Sequence, residues 1–166
     1  VDAMAKEGRA FKGCLYFGLM LTPNDPKVIE YNCRFGDPET QVVLPLLETD
    51  FVDIIKAIHA GTLNQLDIQW KKGCVACVIM ASGGYPKKYA TRLPISGLNE
   101  KGQLDSAFVY HAGTRYENGT FLTAGGRVLG VTVAGDTLQQ ALDGAYAAVE
   151  QIRFEGAHYR KDIGQR

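Results

Sequence analysis

Three side chains spaced two residues apart, Glu30, Asn32 and Arg34, are the part of this chain whose types and spacing best fit a chemical task. They lie in Val28 to Gln41, which reads Val-Ile-Glu-Tyr-Asn-Cys-Arg-Phe-Gly-Asp-Pro-Glu-Thr-Gln. Successive side chains of a strand point to opposite faces. Over Val28 to Phe35, Ile29, Tyr31, Cys33 and Phe35 therefore share one face, and Glu30, Asn32 and Arg34 share the other. A carboxylate and an amide pointing the same way are hard oxygen donors. Mg²⁺ is commonly held by one or two such side chains, with water and phosphate oxygens completing its shell. A guanidinium beside them is a permanent fork of donors for the same phosphates. Gly36 allows a tight turn, Asp37 can cap a following helix and Pro38 suits its first turn. That helix is expected to aim its positive end back at the polar face. The competing reading is an edge strand with a solvated polar face leading into a well-capped helix.

A partner strand must hold this face in place. Gly13 to Leu21 reads as an apolar strand and Lys27 to Phe35 as the next, joined by the turn formers Thr22-Pro-Asn-Asp-Pro26. The pattern predicts a hairpin whose second strand delivers the oxygen donors and whose first lines or backs the same cleft. Glu39 to Leu47 reads as a helix kinked near Pro45. Asp50 to Ala60 follows with helical apolar spacing at Phe51, Ile54, Ile55 and Ile58, a cap at Thr49 or Asp50, and Gly61 as its stop. His59, in the last turn, fits an exposed residue favoured by the negative helix end better than a functional one. Asp2 to Arg9 reads as the end of a helix that began earlier.

Leu63 to Gly73, with the single tryptophan Trp70, is an irregular link into a second part. Cys74 to Ala81 is a continuously apolar strand. Its Cys74-Val-Ala-Cys77 has the spacing of a redox or zinc motif, but thiols three apart on a strand face opposite sides, which favours buried structural thiols. Ser82 to Arg92 carries Gly83, Gly84, Pro86, Tyr85, Lys87, Lys88 and Tyr89, a composition that serves either a phosphate-closing loop or an ordinary surface loop. Phe108 to Thr114 and Gly119 to Thr123 read as strands around an Asn118-Gly119 hairpin turn. Arg127 to Val133 returns as another strand. His111 reads as structural, because nothing nearby forms a triad with it. Arg127 follows Gly125-Gly126, where a ligand can approach the backbone and meet a guanidinium, although a salt-bridged structural arginine fits equally. Asp136, with Gln139, is the expected cap of a last helix whose buried stripe is Leu138, Ala141, Leu142, Ala145, Val149 and Ile152. The charged tail from Phe154, with His158, Arg160 and Arg166, is expected to wrap back.

The 166 residues suffice for one good core or two small subdomains. With 18 basic and 18 acidic residues, no global field favours nucleic acid. Charges interrupt every long apolar run, so no segment reads as a membrane span. The absence of a secretory signal and four cysteines in or beside apolar runs fit a reducing cytoplasm.

Glu30-Tyr-Asn-Cys-Arg-Phe-Gly-Asp-Pro-Glu-Thr-Gln41 closely resembles the signature of the phosphoribosylamine-glycine ligase family, also called glycinamide ribonucleotide synthetases, which are ATP-grasp enzymes of purine synthesis. The likeness continues through Lys12-Gly13 to Leu21, Ser82-Gly83-Gly84-Tyr85-Pro86, His111-Ala112-Gly113-Thr114, Gly125-Gly126-Arg127-Val128-Leu129 and Phe154-Glu155-Gly156 to Gly164. It departs at Lys87, where glycine is usual, and at Thr91-Arg92, where lysine or threonine with glycine is common. The resemblance implies an α+β fold: a partial ATP-grasp subdomain over residues 1–62, then a small mixed β domain over 63–166 closed by a carboxy-terminal helix.

It also implies Glu30 and Asn32 as ligands of Mg²⁺ or Mn²⁺; beside them Arg34, by its charge and fork of donors, is expected to be catalytic and to bind nucleotide phosphate, and Arg127, after its two glycines, to bind the 5-phosphate that the substrate of the resembled enzymes carries. The implied reaction consumes ATP, glycine and 5-phosphoribosylamine and gives glycinamide ribonucleotide, ADP and phosphate in the cytoplasm, with no nucleic-acid or membrane partner. Members of the family are usually much longer. The chain is therefore expected to be a carboxy-terminal fragment, inactive without the amino-terminal part that holds the adenine pocket. Two alternatives stay open: another ATP-grasp carboxylate-amine ligase, or a non-catalytic interaction module derived from this domain.

Overall fold

The turn at Thr22–Pro26 folds the chain back as its composition predicts, with the Thr22 hydroxyl donating to the Asp25 carbonyl at 2.6 Å. It joins β1 (Tyr16–Met20) to β2 (Lys27–Asn32) in an antiparallel pair with an irregularity between Gly18 and Leu19. A computed structural model describes residues 1–165 of the chain. These form an α+β fold of two compact units: Val1–Thr40 with Leu47–Lys71, and Gln41–Leu46 with the chain from Lys72 on.

In the first unit a short helix, α1 (Asp2–Lys6), precedes the hairpin. The second strand stops at Asn32 rather than continuing to Phe35. Asn32 pairs with Tyr16, the first residue of β1, so the chain beyond it has no neighbour to take its backbone hydrogen bonds. α2 (Thr40–Val43) also starts later than the pattern predicts. The Thr40 N–H and hydroxyl both bond the Gly36 carbonyl, which leaves Asp37 and Pro38, joined by a cis peptide, in the turn before the helix. A single 3₁₀ turn, Leu44–Leu46, replaces the remainder of the expected helix where Pro45 has no N–H to give.

α3 (Phe51–Ala60) matches its pattern. Asp50 caps it by accepting the Val52 N–H at 2.7 Å, and Gly61 ends it in the left-handed conformation at φ 73°. Ile54 is the one buried apolar side chain among the described residues of this unit.

The second unit holds the core. β3 (Cys74–Ala81), β5 (Phe108–His111) and β8 (Arg127–Gly135) form an antiparallel sheet with β8 central. β4 (Pro94–Ile95), β6 (Thr114–Glu117) and β7 (Thr120–Thr123) form another. Alternation along β3 buries Ala76, Val78 and Met80, and the register sets Val78 and Val109 on either side of Val131. α4 (Leu138–Val149) packs Ala141, Leu142, Ala145, Ala148 and Val149 into the same core, while Leu138 stays exposed. Its cap lies one residue later than expected. Thr137 and Gln140 form the capping box, because Thr137 has the extended backbone from which a hydroxyl reaches the Gln140 N–H. Cys74 and Cys77 pair with Gly135 and Thr132 on the strand, and no disulfide joins the four cysteines.

The expected single strand from Phe108 to Thr114 is two strands belonging to different sheets. Between them Gly113 donates to the Arg127 carbonyl at 2.9 Å and accepts from Ala124 at 2.7 Å. The backbones of Gly113 and Gly125 come so close that a Cβ on Gly113 would stand 2.6 Å from both the Gly125 Cα and the Arg127 oxygen. Asn118 and Gly119, at φ 48° and 80°, make the turn between β6 and β7. The tail wraps back as expected, pairing His158 with Ala81 and enclosing the Tyr146 hydroxyl, which donates to the Arg160 carbonyl at 3.0 Å and accepts from Ile163 at 3.1 Å. Arg166, part of the same expectation, lies outside the described residues.

Because the atoms facing Gly113 are backbone atoms, Gly113→Ala forces two chain segments apart rather than repacking a side chain. We expect a loss of about 1–3 kcal/mol, the range for overpacking a tight site, seen as a lower urea midpoint. An unchanged midpoint would mean that the segments separate freely.

Candidate functional site

The polar face of the hairpin is set by cross-strand register: Tyr16 lies opposite Asn32 and Gly18 opposite Glu30. The Glu30 side chain runs across Gly18, where a Cβ would stand 3.0 Å from its Cγ. Asn32 Nδ2 donates to Glu30 Oε1 at 2.9 Å. Both residues are thus brought together at the end of one strand. With Mg–O distances of about 2.0–2.1 Å, adjacent oxygens of an octahedral shell lie about 2.9 Å apart. With the Asn32 amide turned over, the two termini present oxygens at about that separation, so this donor set fits a small hard cation. Among the described residues no three His, Cys, Asp or Glu side chains converge on a cation-sized space. The donors here are one carboxylate and one amide, which leaves most of a shell to water and phosphate oxygens.

Arg34 is not brought onto that face. It lies past the end of β2, exposed, and its Nη1 donates to the Phe35 carbonyl at 2.9 Å. Tyr16, absent from the sequence-based candidates, lies directly across from Asn32. The pKa of the Tyr16 phenol is raised first by burial, then by the Glu39 carboxylate, and then by Glu30. Glu39 folds over the buried Gly36, so that a Cβ there would meet its carboxylate. Alternation places Tyr16 on the Glu30 face only when the hairpin register is known. Glu39 comes from a turn that no periodicity describes.

The loop after β3 is held against the glycines before β8. Ser82 donates to the Gly126 carbonyl through its N–H and to the Gly125 carbonyl through its hydroxyl, both at 2.8 Å, and the Tyr85 ring covers Gly126. Arg127 opens β8 from this junction with its side chain exposed. Ser82 to Tyr85 and Gly125 to Arg127 therefore form one surface feature of the second unit. The imidazole of His111 is structural, as expected: Nε2 meets the Gly102 carbonyl at 2.8 Å, so it carries the proton, and Nδ1 accepts from the Thr114 hydroxyl at 2.9 Å. His59 offers its carbonyl, not its ring, to Lys12 Nζ at 3.1 Å.

Arg92 explains one departure from the resembled pattern. It has φ 64°, a conformation that glycine adopts without strain. Its guanidinium forks onto Glu117 at 3.2 and 2.7 Å, and Arg115 reaches the same carboxylate at 3.2 Å. Hydrogen bonds from Arg115 and then Arg92 hold the Glu117 pKa below the usual carboxylate range.

Residues 1–40, which contain the hairpin and its polar face, match the family profile "Phosphoribosylglycinamide synthetase, ATP-grasp (A) domain". That segment is thus similar to an ATP-grasp domain. Residues 75–166 match "Phosphoribosylglycinamide synthetase, C domain", and the chain belongs to the phosphoribosylglycinamide synthetase family. It is 52% identical over 163 residues to the phosphoribosylamine–glycine ligase of Caldanaerobacter subterraneus subsp. tengcongensis, covering 98% of this chain and 38% of that protein. It is 47% identical over 167 residues to the trifunctional purine biosynthetic protein adenosine-3 of Homo sapiens, covering all of this chain and 16% of the relative. The crystal structure of phosphoribosylamine–glycine ligase from Thermotoga maritima superposes with a TM-score of 0.81 at 35% identity, covering 97% of this chain and 39% of that one. The chain thus spans well under half the length of these relatives. No helix among the described residues is long and apolar enough to cross a membrane.

The Glu117 cluster yields a pH prediction of definite sign. A carboxylate whose pKa is lowered by folding stabilises the folded state above its unfolded pKa and loses that contribution as pH falls through the folded one. The stability difference between the native chain and Glu117→Gln should therefore be constant above about pH 4.5, the ordinary value. It should shrink as acid is added below that point, as measured by urea unfolding at a series of pH values. A difference that stays constant to the lowest accessible pH would show that the two arginines do not act on Glu117.

Proposed function

We propose that this sequence forms the carboxy-terminal portion of an ATP-dependent carbon–nitrogen ligase that joins glycine to 5-phosphoribosylamine in the cytoplasm, as a step of purine synthesis. The observation that carries the proposal is the Glu30–Asn32 donor pair, 2.9 Å apart on a hairpin that matches an ATP-grasp profile. In this reading residues 1–62 belong to the ATP-grasp domain and 63–166 to the C domain. An amino-terminal part of the same enzyme supplies the adenine pocket in this reading, and the greater length of the relatives supports it.

A glycine carboxylate oxygen attacks the γ-phosphorus of ATP, the bond to ADP breaks, and glycyl phosphate forms. The amine of phosphoribosylamine then attacks the acyl carbon, phosphate leaves with the acyl oxygen, and the amine loses a proton to solvent or to the departing phosphate. No side chain need act as a nucleophile. Phosphoryl transfer to a carboxylate crowds negative oxygens together, so positioning and charge are what the protein must supply. Glu30 and Asn32 would hold Mg²⁺ or Mn²⁺, and the cation would supply Lewis-acid stabilisation of the charge that develops on the phosphoryl oxygens. Arg34 exchanges the Phe35 carbonyl for phosphate oxygens, a charged acceptor whose paired oxygens match the fork of its planar guanidinium. Arg127, beside the backbone opening at Gly125-Gly126, binds the 5-phosphate of phosphoribosylamine.

The test is ADP release by a protein of the relatives' length that carries this sequence, with each substrate omitted in turn. Release that requires both glycine and phosphoribosylamine supports the proposal. Release with another acid in place of glycine indicates a different carboxylate-amine ligase, and no release under any combination indicates an interaction module. In the same protein Arg127→Ala should raise the KM for phosphoribosylamine roughly tenfold, the cost of losing a hydrogen bond to a charged group, and leave the KM for ATP nearly unchanged. Equal effects on both constants would remove Arg127 from the substrate site.

A further inference from the structure

Strict alternation along β8 would set Arg127 on the face of Leu129 and Val131, both fully buried. The side chain is exposed instead, and the strand pairing shows why. Met80 pairs with Leu129, but Ala81 pairs with Arg127 rather than Val128, so β8 carries one extra residue there. A bulge of this kind bends the strand end and re-aims the side chain beside it. Val128 and Leu129 are then both buried while Arg127 stays at the surface.

A bulge at a strand end has to be held. Beyond it the pairing is taken up by Ser82, whose N–H donates to the Gly126 carbonyl and whose hydroxyl donates to the Gly125 carbonyl, both at 2.8 Å. Ser82 is only 1% exposed, so this hydroxyl is held apart from bulk water. The Tyr85 ring lies on Gly126, where any Cβ would run into it. The Tyr85 N–H bonds the Ser82 carbonyl at 3.0 Å, which joins the two residues in one turn. That turn is itself anchored. Ala81 and His158 exchange hydrogen bonds at 2.9 and 3.1 Å, and a Cβ on Gly83 would stand 2.9 Å from the Gly156 oxygen.

Resting on the assignment of Arg127 to the substrate 5-phosphate, we propose that Ser82 and Tyr85 are positioning residues for Arg127. The hydroxyl pins the Gly125 carbonyl, the ring seats Gly126, and together they set the bulge from which the guanidinium leaves the sheet. Neither residue needs to touch the reacting atoms. A phosphate bound by a guanidinium fork depends on where that fork stands, so loosening its backbone weakens binding and leaves phosphoryl transfer from ATP alone.

The experiment measures the KM for phosphoribosylamine and for ATP, with the urea midpoint in parallel, in a protein of the relatives' length that carries this sequence. Ser82→Ala and Tyr85→Leu should each raise the KM for phosphoribosylamine roughly two- to tenfold, the span for losing one hydrogen bond, and leave the KM for ATP nearly unchanged. Tyr85→Phe keeps the ring and should restore the wild-type value. In an Arg127→Ala background neither variant should add a further effect, because a residue that acts through Arg127 has nothing left to position. If Tyr85→Leu fails to fold, Ser82→Ala, which removes a single oxygen, decides alone. An unchanged phosphoribosylamine KM in the variants, a rise shared equally with ATP, or effects that add to that of Arg127→Ala would overturn the positioning role and leave Arg127 in the substrate site. An unchanged phosphoribosylamine KM in Arg127→Ala itself would overturn the assignment of Arg127, and the positioning role with it.

Discussion

The register of the β1–β2 ribbon decides what its end can do. With Tyr16 opposite Asn32 and Gly18 opposite Glu30, the polar termini lie over a residue without a side chain and beside a phenol. A slip of one residue would turn Glu30 and Asn32 to the other face, where Phe17 and Tyr31 now meet edge to face at 5.0 Å. The turn at Thr22–Pro26 and the irregularity at Gly18–Leu19 are the local features that set this register. Little else in the first unit helps. Ile54 is its one buried apolar side chain among the described residues, and Phe17, Leu19, Ile29 and Tyr31 are each about half exposed or more. Local hydrogen bonding, more than burial, carries the geometry of the polar face.

The second unit is built on the opposite basis. Its central strand, β8, is buried along most of its length between β3 and β5 and beneath α4. Dense packing of this kind resists displacement, and the close glycine contacts transmit that rigidity to the surface. Gly113 against Gly125 fixes the crossing between the two sheets, and Gly83 against Gly156 fixes the loop that carries Tyr85. Arg127 leaves the core strand at such a junction, so its backbone is anchored while its side chain is exposed. Anchored backbone with an exposed cation is a sound base for holding an anion, as loops on rigid scaffolds are for ligands generally.

Much of this was legible in the residue pattern, and the failures have identifiable causes. Alternation placed Glu30 and Asn32 together correctly, because both lie within the paired length of β2. It failed for Arg34, since strand periodicity holds only while a partner strand is present, and pairing ends at Tyr16. The Asp50 cap and Gly61 stop of α3 were readable from local chemistry. The cap of α4 was misplaced by one residue because Asp136 and Thr137 both qualify, and only the backbone at Thr137 decides between them. Phe108 to Thr114 looked like one strand because Ala112-Gly113 carries no turn signal of its own. What divides it is a distant backbone at Gly125. Tyr16 escaped notice for a similar reason, as its place across from Asn32 depends on the strand register.

Glu30 and Asn32 are the centre of the functional account, and their role is tested most directly by substitution in a protein of the relatives' full length that carries this sequence. The measurement is the rate of glycine-dependent ADP release at saturating Mg²⁺ for Glu30→Ala and Asn32→Ala, with thermal unfolding followed in parallel. Since both side chains are held by each other at a strand end and not by the core, the unfolding temperature should barely move. The rate should fall by about 10²-fold or more, as when a preorganised group facing developing charge is removed. Near-normal turnover at saturating Mg²⁺ in either folded variant would contradict the assignment of that residue as a cation donor.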